Sequence, residues 1–498
     1  MNHWLVAPLL LPLAAGMINL LQVRRGPGLS RLISLLMAAA LLPVVILLLI
    51  QADRGEIVVY QLGDWPAPFG ISLVLDRLSA LLLLVTALVA LPALLYATGG
   101  DDRRGPNFHV LFPLQLFGIN GAFLTGDLFN LFVFFEVMLI ASYCLALHGG
   151  GPERIRSGLH YVVLNLIGSS LFLVAIAILY GIAGTLNMAD LAVYTAAAAP
   201  EQAALLRASA LLLLTVFALK AAVLPLHLWL PALYGSAVAP VAALFAIMTK
   251  VGVYAILRTF TSILVPGAST ADVLAVLPFL ALVTLVGGAL GVLASRRLTT
   301  LISYLLVLSV GTLLAGIGLF TVAGIAAALY YLPHTTLTTS GLFLLADLLA
   351  ARRGVAADHF LPAPPLPGRL LGVLFVIAAV AAAGMPPLPG FIGKVLLLQA
   401  VPPKGAAWLW TVVLVGSLAG LVALSRAGSR LFWQTEGEMA VQPRPRPLLL
   451  LPVVVLLALS VAMTPFAAPI CRYAEATAAQ VLNPTGSVAV VFGKEKNE

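Results

Sequence analysis

Four ionisable side chains lie deep inside apolar runs of the sequence. Lys220, Lys250 and Lys394 are three of only six lysines, and Glu136 is the one acidic residue in the middle of any apolar run. A charge at the centre of a bilayer costs about 3 kcal/mol or more, so such residues are functional candidates by default. Lysine loses its proton when desolvated, whereas arginine stays charged. The three lysines therefore predict proton transfer through a hydrocarbon core.

The depth of these residues supports that prediction. At about 1.5 Å per residue, Lys250 lies about 15 Å from Pro240 and about 12 Å from Arg258. Glu136 lies about 13 Å from the polar start of its run. A buried carboxylate needs a partner, and we expect Lys220 to pair with it. The alternative is a set of fixed structural ion pairs, but two of the three lysines have no mid-run acid to pair with.

Histidines and hydroxyls add a possible relay. His334 lies in "YYLPHTTLTTSGLF", where five hydroxyl residues, Thr339 among them, follow it. A histidine among hydroxyls suits a hydrated proton path, and a histidine bonded to a neighbouring carbonyl is the equally weighted alternative. His227 could line a cavity after the break described next. His109 is expected in a loop, and His148 is expected to be solvated near a run's edge.

Two apolar runs are interrupted by prolines. "KAAVLPLHLWLP" and "GMPPLPGFIGKVLL" each combine a proline cluster with one lysine, Lys220 and Lys394. Irregular backbone at membrane depth is tolerated only where it is buried in protein or lines a cavity. Paired broken helices in two halves indicate a transport site between inverted repeats. Ordinary proline kinking is the alternative, although it does not account for the lysine beside each break.

The elements that must position these residues are spanning helices. The chain has 498 residues, 61% hydrophobic and 9% charged, and apolar runs of about 20 residues follow one another from end to end. We predict an all-α polytopic membrane protein with about 14 transmembrane helices, two inverted five-helix repeats, and broken helices 7 and 12. The expected regions are 1–107 (helices 1–3 with an extramembrane hairpin near 55–70), 108–262 (first repeat), 271–431 (second repeat) and 448–498 (helix 14 and an extracytoplasmic tail).

The basic residues predict the orientation. Sixteen of the 21 arginines fall in alternate loops, and the other side has far fewer basic residues. By the positive-inside rule those loops are cytoplasmic and both termini are extracytoplasmic. The N-terminal run lacks a basic segment before it, which favours an uncleaved first helix.

Other classes of chemistry have little support. The sequence contains no Walker loop, Rossmann glycine pattern, CxxC or HExxH, so we expect no cofactor. The two cysteines, Cys144 and Cys471, predict neither a disulfide framework nor a metal site. No mid-membrane cluster of carboxylates suited to a hard cation is visible, so no residue is assigned to a metal and the coupled cation could pass through a partner.

Five segments resemble one known family. "GDLFNLFVFFEVMLIASYCL", "LNLIGSSLFL", "ALKAAVLPLHLWLPALY", "PVAALFAIMTKVGVYAILR" and "MPPLPGFIGKVLLL" look like the antiporter-like subunits shared by respiratory complex I and Mrp-type cation/proton antiporters. The sequences of these segments are most similar to the D subunit of the Mrp type, and the resemblance covers about residues 1–470. It implies a fourteen-helix fold with inverted five-helix repeats. It also implies that the family's glutamate and its three lysines match Glu136, Lys220, Lys250 and Lys394.

The sequence departs from that family at two places. Many relatives carry a second histidine and a lysine in the eleventh span, where this chain offers Pro333 or Thr335, and Thr339. Relatives in complex I often carry acid–Ala–His after "WLP", where this chain has Ala232, Leu233 and Tyr234. The second departure argues against complex I.

The resemblance implies a function and partners. We expect a proton-translocating subunit of a hetero-oligomeric Na⁺ or K⁺/H⁺ antiporter, a secondary transporter and not an enzyme. It would act with other Mrp-type subunits in the bacterial plasma membrane, in pH and cation homeostasis. One alternative is a proton-pumping subunit of a complex I-like or hydrogenase-like redox enzyme. Another is a structural scaffold without an ion path.

Overall fold

The computed structural model describes residues 3–22, 26–67, 69–264, 271–366, 369–404, 406–436, 446–483 and 485–492. Almost all regular structure is helical. One small antiparallel sheet pairs β1 (Val58–Gln61) with β2 (Ser72–Leu75). The first strand lies in the segment expected to form a hairpin, 55–70, whereas the second lies in residues that were expected to begin the third spanning helix. In the chain, α1 (Ala7–Leu21) and α2 (Pro27–Asp53) precede this sheet and α3 (Arg77–Ala97) follows it.

The central part of the chain contains the first broken helix. Its helices are α4 (Phe108–Leu124), α5 (Leu128–Ala146), α6 (Pro152–Ala183), α7 (Met188–Ala196), α8 (Ala203–Ala221), α9 (Trp229–Ser236), α10 (Ala239–Phe245) and α11 (Met248–Arg258). A π-helical turn, Thr259–Ile263, follows α11. The expected continuation of the seventh span is confirmed as α9.

The remaining helices contain the second break. They are α12 (Ala271–Ala294), α13 (Leu298–Ile317), α14 (Val322–Ala350), α15 (Leu370–Ala383), α16 (Pro389–Ala400), α17 (Ala406–Gly428), α18 (Pro447–Ala462), α19 (Ala467–Leu482) and α20 (Thr485–Val491). The continuation expected after the second break is confirmed as α16. The segment expected to be a tail instead forms α19 and α20 in its described part, and α19 packs against α14 and α3.

Ten described helices are long and apolar enough to cross a membrane, or eleven if the bent pair α18 and α19 forms one span. The angle within that pair is 77°. The expected number was fourteen. Three shorter apolar helices, with 10–17 residues, are not among the ten: Phe108–Leu124, Leu370–Ala383 and Pro389–Ala400.

The centre of the protein is formed by α10, α11 and α14. The first two are buried along their whole length, and α14 is buried almost throughout. The helices α6 and α17 expose much of their apolar surface. The centre therefore excludes both lipid and bulk water from the polar side chains that these three helices carry.

Ion pairs and hydrogen bonds connect helix ends and loops on the side of the protein that carries the arginine-rich loops, called here the arginine-rich end. Arg31 forms a bidentate contact with Asp102 at 2.6 and 2.7 Å, and His109 Nε2 lies 3.0 Å from the same carboxylate. Burial opposes ionisation of Asp102, but the hydrogen bonds from His109 and Arg31 hold its pKa below the ordinary value. His148 Nε2 lies 2.8 Å from the backbone carbonyl of Asp101. Both histidines are buried, so the expectations of a loop and a solvated position were wrong; tertiary packing supplied partners that local sequence does not show.

A second buried pair lies at the opposite end of α3. Asp76 caps α3 through the backbone N–H of Ser79, and its carboxylate accepts two hydrogen bonds from Arg258 at 2.5 and 2.9 Å. Because Arg258 ends α11, this pair fixes the end of the helix that carries Lys250.

We expect Asp76→Ala to destabilise the protein by about 3–5 kcal/mol, because it leaves the Arg258 guanidinium buried without its partner. Thermal unfolding of the purified complex in detergent measures this. Asp53→Ala is the matched control. Asp53 is exposed and its carboxylate is as far as 3.9 Å from Arg77, and an exposed, loose ion pair contributes little to stability. Equal shifts in the two variants would contradict the assignment.

Candidate functional site

Lys220 lies at the end of α8, directly before the first break. Ala222 follows in the left-handed conformation with φ of 57°. The broken segment is stabilised by side chains from elsewhere: Trp229 Nε1 donates to the Leu219 carbonyl at 3.1 Å, and the Leu224 N–H donates to Thr284 Oγ1 at 3.1 Å. Lys220 is buried, and its Nζ donates to Asn165 Oδ1 at 3.1 Å.

Glu136 does not pair directly with Lys220. The Ser169 hydroxyl donates to the Glu136 carboxylate, while Asn165, one turn earlier on the same helix α6, accepts from Lys220. Among the described residues, no ion pair within 4 Å joins the two charges. The expected direct pair is therefore not formed, and each of the two charges instead has its own neutral hydrogen-bond partner on α6.

Lys394 lies on the other side of its break. Gly384 ends α15 with φ of 77°, and the buried Lys394 follows on α16. Its Nζ donates to the Ala383 carbonyl at 2.8 Å, one of the acceptors that the end of α15 leaves free. Lys220 precedes its break whereas Lys394 follows one, so the two lysines do not occupy equivalent positions.

Lys250 lies beside a local interruption of helical hydrogen bonding that the sequence did not reveal, although the backbone of Ala246 and Ile247 stays right-handed helical. Residues 246–247 separate α10 from α11, and Lys250 is in the first turn of α11. Tyr234 donates to the Phe245 carbonyl at 2.7 Å, and Ser340 donates to the Ala243 carbonyl at 2.8 Å. The segment "AALFAIM" contains neither proline nor glycine, so only these side chains from α9 and α14 mark the interruption.

Among the described residues, the hydrogen-bond partners of the Lys250 ammonium group are hydroxyls. Its Nζ lies 3.3 Å from Ser309 Oγ and 3.4 Å from Thr249 Oγ1. In the part of the chain that the structure describes, no carboxylate oxygen lies within 4 Å of it. A structural ion pair is thus not what holds Lys250.

His334 lies on α14 next to the second break. Its Nδ1 is 3.1 Å from Ser460 Oγ and 3.4 Å from Thr338 Oγ1, and those two hydroxyls are 2.8 Å apart. Its Nε2 faces Gly390 at the start of α16, where an added Cβ would come within 2.7 Å. The partner Ser460 comes from α18 and was not identified from the sequence, because a single serine in an apolar run carries no distinguishing signal.

The other two expected relay residues, Thr339 and His227, have different hydrogen-bond partners from His334. Thr339 donates to the carbonyls of Thr335 and Thr336 in its own helix, at 2.7 and 3.2 Å. His227 is buried after the first break, and its Nδ1 has no hydrogen-bond partner among the described residues. A buried polar nitrogen of this kind is normally satisfied by an ordered water.

The helix contacts order these side chains into one series. Gly252 on α11 lies against the backbone of α8, where an added Cβ would overlap the Ala221 nitrogen. Lys220 and Lys250 are therefore on helices in direct backbone contact. Beyond Lys250, Ser309 and Thr312 lie on α13, the Tyr331 side chain interacts with Thr312, and its ring is 5.6 Å from that of His334.

Buried lysines beside interrupted helices, linked by hydroxyls and a histidine, are features of membrane proteins that move protons or ions.

Comparison with known proteins identifies the family of this chain. Residues 125–420 match the model "NADH:quinone oxidoreductase/Mrp antiporter, TM". The D subunit of a probable K⁺/H⁺ antiporter of Rhizobium meliloti is 40% identical over 97% of this chain and 96% of that protein. The D subunit of the Na⁺/H⁺ antiporter of Bacillus subtilis is 35% identical over 99% and 100%.

Solved structures agree with the sequence comparisons. A chain of the Mrp complex from Dietzia sp. DQ12-45-1b has a TM-score of 0.87 and 25% identity, covering 99% of this chain and 100% of that one. A chain of respiratory complex I from Thermus thermophilus has a TM-score of 0.80 and 28% identity, covering 96% and 100%. The chain belongs to the NADH:quinone oxidoreductase/Mrp antiporter transmembrane family.

We expect Gly252→Ala to reduce transport strongly, because its Cβ cannot fit against the backbone of α8 and must separate the helices of Lys220 and Lys250. Overpacking of this kind costs about 1–3 kcal/mol. Gly181→Ala on α6 is the control, since an added Cβ there meets nothing within 4 Å. Transport and the amount of assembled complex are measured together. Transport in the Gly252 variant equal to that of the control would contradict the close contact.

Proposed function

We propose that this chain is the D subunit of a multisubunit antiporter that exchanges Na⁺ or K⁺ for protons, and that it carries the protons. Relatives of nearly full length are named as D subunits of Na⁺/H⁺ or K⁺/H⁺ antiporters. The observation that carries the proton role is the series from Lys220 to Lys394, in which all three lysines are held by neutral partners.

Neutral partners suit a group that must gain and lose a proton. A carboxylate at contact distance would hold an ammonium group charged, whereas an amide, hydroxyl or carbonyl leaves both states accessible. Protons would enter one half-channel near Lys220, pass Lys250 and His334, and leave by Lys394. Glu136 would act on Lys220 through Ser169 and Asn165. The membrane potential contributes about 2.3 kcal/mol per charge per 100 mV to this movement.

The proposed inverted repeats comprise α4–α11 and α12–α17. Features of the backbone recur in both. Isolated bridges join Asp127 to Asn187 and Arg297 to His359. The helices α11 and α17 both end in a π-helical turn, and both broken spans contain a residue with positive φ at the break. These recurrences support the repeat although the two lysines lie on opposite sides of their breaks.

The proposed count of fourteen spans follows from the same division. Eleven spans are identified by length and composition. The remaining three are the 17-residue α4, the long central α14, and α15 with α16 as one interrupted span. With the arginine-rich loops in the cytoplasm, both termini lie outside the bacterial plasma membrane. Partners are the other subunits of the antiporter complex.

The competing function is a proton-pumping subunit of a redox complex. Complex I is among the similar structures, but curated relatives that match nearly the whole chain are named as antiporter D subunits. Ala232, Leu233 and Tyr234 after "WLP" also depart from the complex I pattern. The neighbouring genes discriminate: small antiporter subunits support the proposal, and iron–sulfur and quinone-binding subunits support the alternative.

We expect Lys220→Ala and Glu136→Ala to abolish cation-dependent proton flux in everted vesicles that contain the whole complex, because each removes one end of the link through α6. The complex should still assemble. Lys404→Ala is the control, since it removes the same charge from an exposed loop position. Normal flux in either of the first two variants would refute the proposed route.

Lys250→Arg should also lose proton flux, because arginine keeps the charge but does not release its proton. The measurement is the same vesicle assay with Na⁺, K⁺ and Li⁺ supplied in turn. A fully active arginine variant would favour a structural role for Lys250.

A further inference from the structure

A groove with a volume of about 780 Å³ runs between α15 and α17. Val373, Val376 and Val380 form one wall along α15, and Leu421 and Leu424 form the other wall along α17. The first two of these valines are 52% and 51% exposed, so the groove opens on the outer surface of the protein. Its lining residues are different from those of the series of lysines described above.

Two aromatic rings close the inner side of the groove. The rings of Phe375 on α15 and Phe432 after α17 are 5.5 Å apart, and both line the groove. Glycines make room for them: an added Cβ at Gly372 would lie 3.7 Å from the Phe432 ring, and one at Gly428 would lie 3.1 Å from the Phe375 ring. The rings therefore pack down between the helices, and the groove above them stays open.

The end of the groove at the arginine-rich end of the protein is held by backbone contacts. The π-helical turn Ser429–Trp433 follows α17, and just beyond it Thr435 forms an isolated parallel bridge with Ala363, which precedes α15. The N–H of Glu436 donates to the Ala363 carbonyl at 3.1 Å. Trp433 lines this mouth and is 73% exposed. Tryptophan is enriched at the interface between membrane and water.

The mouth of the groove carries excess positive charge. Arg369 lines it at the start of α15, and Arg430 lies in the turn that supplies Phe432 and Trp433; both arginines are exposed. Arg426 donates to two backbone carbonyls around the end of α12. In the described ranges, no carboxylate oxygen lies within 4 Å of any of these three guanidinium groups.

The length of the groove matches one leaflet of a bilayer. At about 1.5 Å per residue, the wall from Arg369 to Val380 is about 16 Å long, which is about half of the 30 Å hydrocarbon thickness. Arg369 is the charged residue among the described lining residues, and the wall beyond it is apolar apart from Ser425. A partner's spanning helix would need a groove along the full thickness, whereas an acyl chain ends within its own leaflet.

We propose that this groove binds one anionic phospholipid, with its phosphate on Arg369 and an acyl chain along α15 and α17. A guanidinium group binds a phosphate through two parallel hydrogen bonds. Basic pockets between transmembrane helices on the cytoplasmic side, where the arginine-rich loops lie in the proposed orientation, suit anionic headgroups. A zwitterionic lipid lacks the net charge that the unpaired arginines attract. The lipid site does not depend on the proposed proton-carrying function.

The first test labels the complete complex in vesicles with phosphatidylglycerol that carries a photoreactive acyl chain. Peptides of α15 and α17 should be labelled, and phosphatidylcholine with the same chain should label them at least about tenfold less. The double variant Arg369→Gln with Arg430→Gln should lower phosphatidylglycerol labelling to the phosphatidylcholine level.

Arg156→Gln is the matched control for this charge removal. Arg156 is an exposed arginine at the same end of the protein and does not line the groove, so its loss tests general attraction of anionic lipid to that end. Labelling of the double variant equal to that of Arg156→Gln would overturn the proposal, as would equal labelling by the two lipids.

The second test fills the groove and leaves the arginines in place. Val376→Trp should abolish labelling by phosphatidylglycerol and the increase in Tm that this lipid gives the complex in detergent. Val415→Trp is the control, since Val415 is a 56% exposed valine of α17 outside the groove lining. Neither exposed position requires a packed neighbour to move. Undiminished labelling in Val376→Trp would contradict the site.

The third test identifies the occupant in native membranes. A photo-crosslinking amino acid in place of Val373 should yield a phospholipid adduct, identified by its mass. A crosslink to another subunit in its place would overturn the proposal and make the groove a subunit interface. The proton route stands or falls separately, because none of these variants alters Glu136 or the three buried lysines.

Discussion

The cost of placing charge and unpaired backbone groups in hydrocarbon governs this structure. Three lysines lie within apolar spans, and each lies beside an interruption that leaves backbone groups unpaired. An isolated charge and an isolated carbonyl are both unfavourable there. The structure satisfies them together: Lys394 donates to a carbonyl at the end of α15, and side chains from neighbouring helices cover the carbonyls beside Lys250. The lysines and the breaks therefore depend on each other.

The neutral hydrogen-bond partners of the three lysines distinguish the centre of this protein from a framework of ion pairs. Where the protein needs permanent connections it uses carboxylates, as between Asp76 and Arg258 and between Asp102 and Arg31, near the ends of the helices. At the centre it uses an amide, hydroxyls and a carbonyl instead. Permanent pairs thus fix the helix ends, while the neutral contacts in between leave each lysine able to exchange a proton in the proposed route.

Local sequence signals predicted much of this fold and part of the site. Proline clusters located both broken spans, and alternation located the first strand of the small sheet, because these signals act within a few residues. The break before Lys250 escaped prediction because its stabilising groups, Tyr234 and Ser340, come from other helices. The direct pairing of Glu136 with Lys220 was expected from their charges alone, but each side chain is hydrogen-bonded to a neutral residue of α6 instead. Ser460 escaped notice because only the packing of α18 brings it to His334.

The sequence by itself determined the class of protein, the family, the depth of the lysines and the prolines that interrupt two spans. The family followed from the resemblance of five segments to known subunits. The other features follow from composition, hydrophobic length and residue type, which do not depend on contacts. Only the tertiary structure decided which group each charge contacts and where the third interruption falls. Those features arise between helices far apart in the chain, where hydrogen-bond geometry and close packing of glycines such as Gly252 select one arrangement.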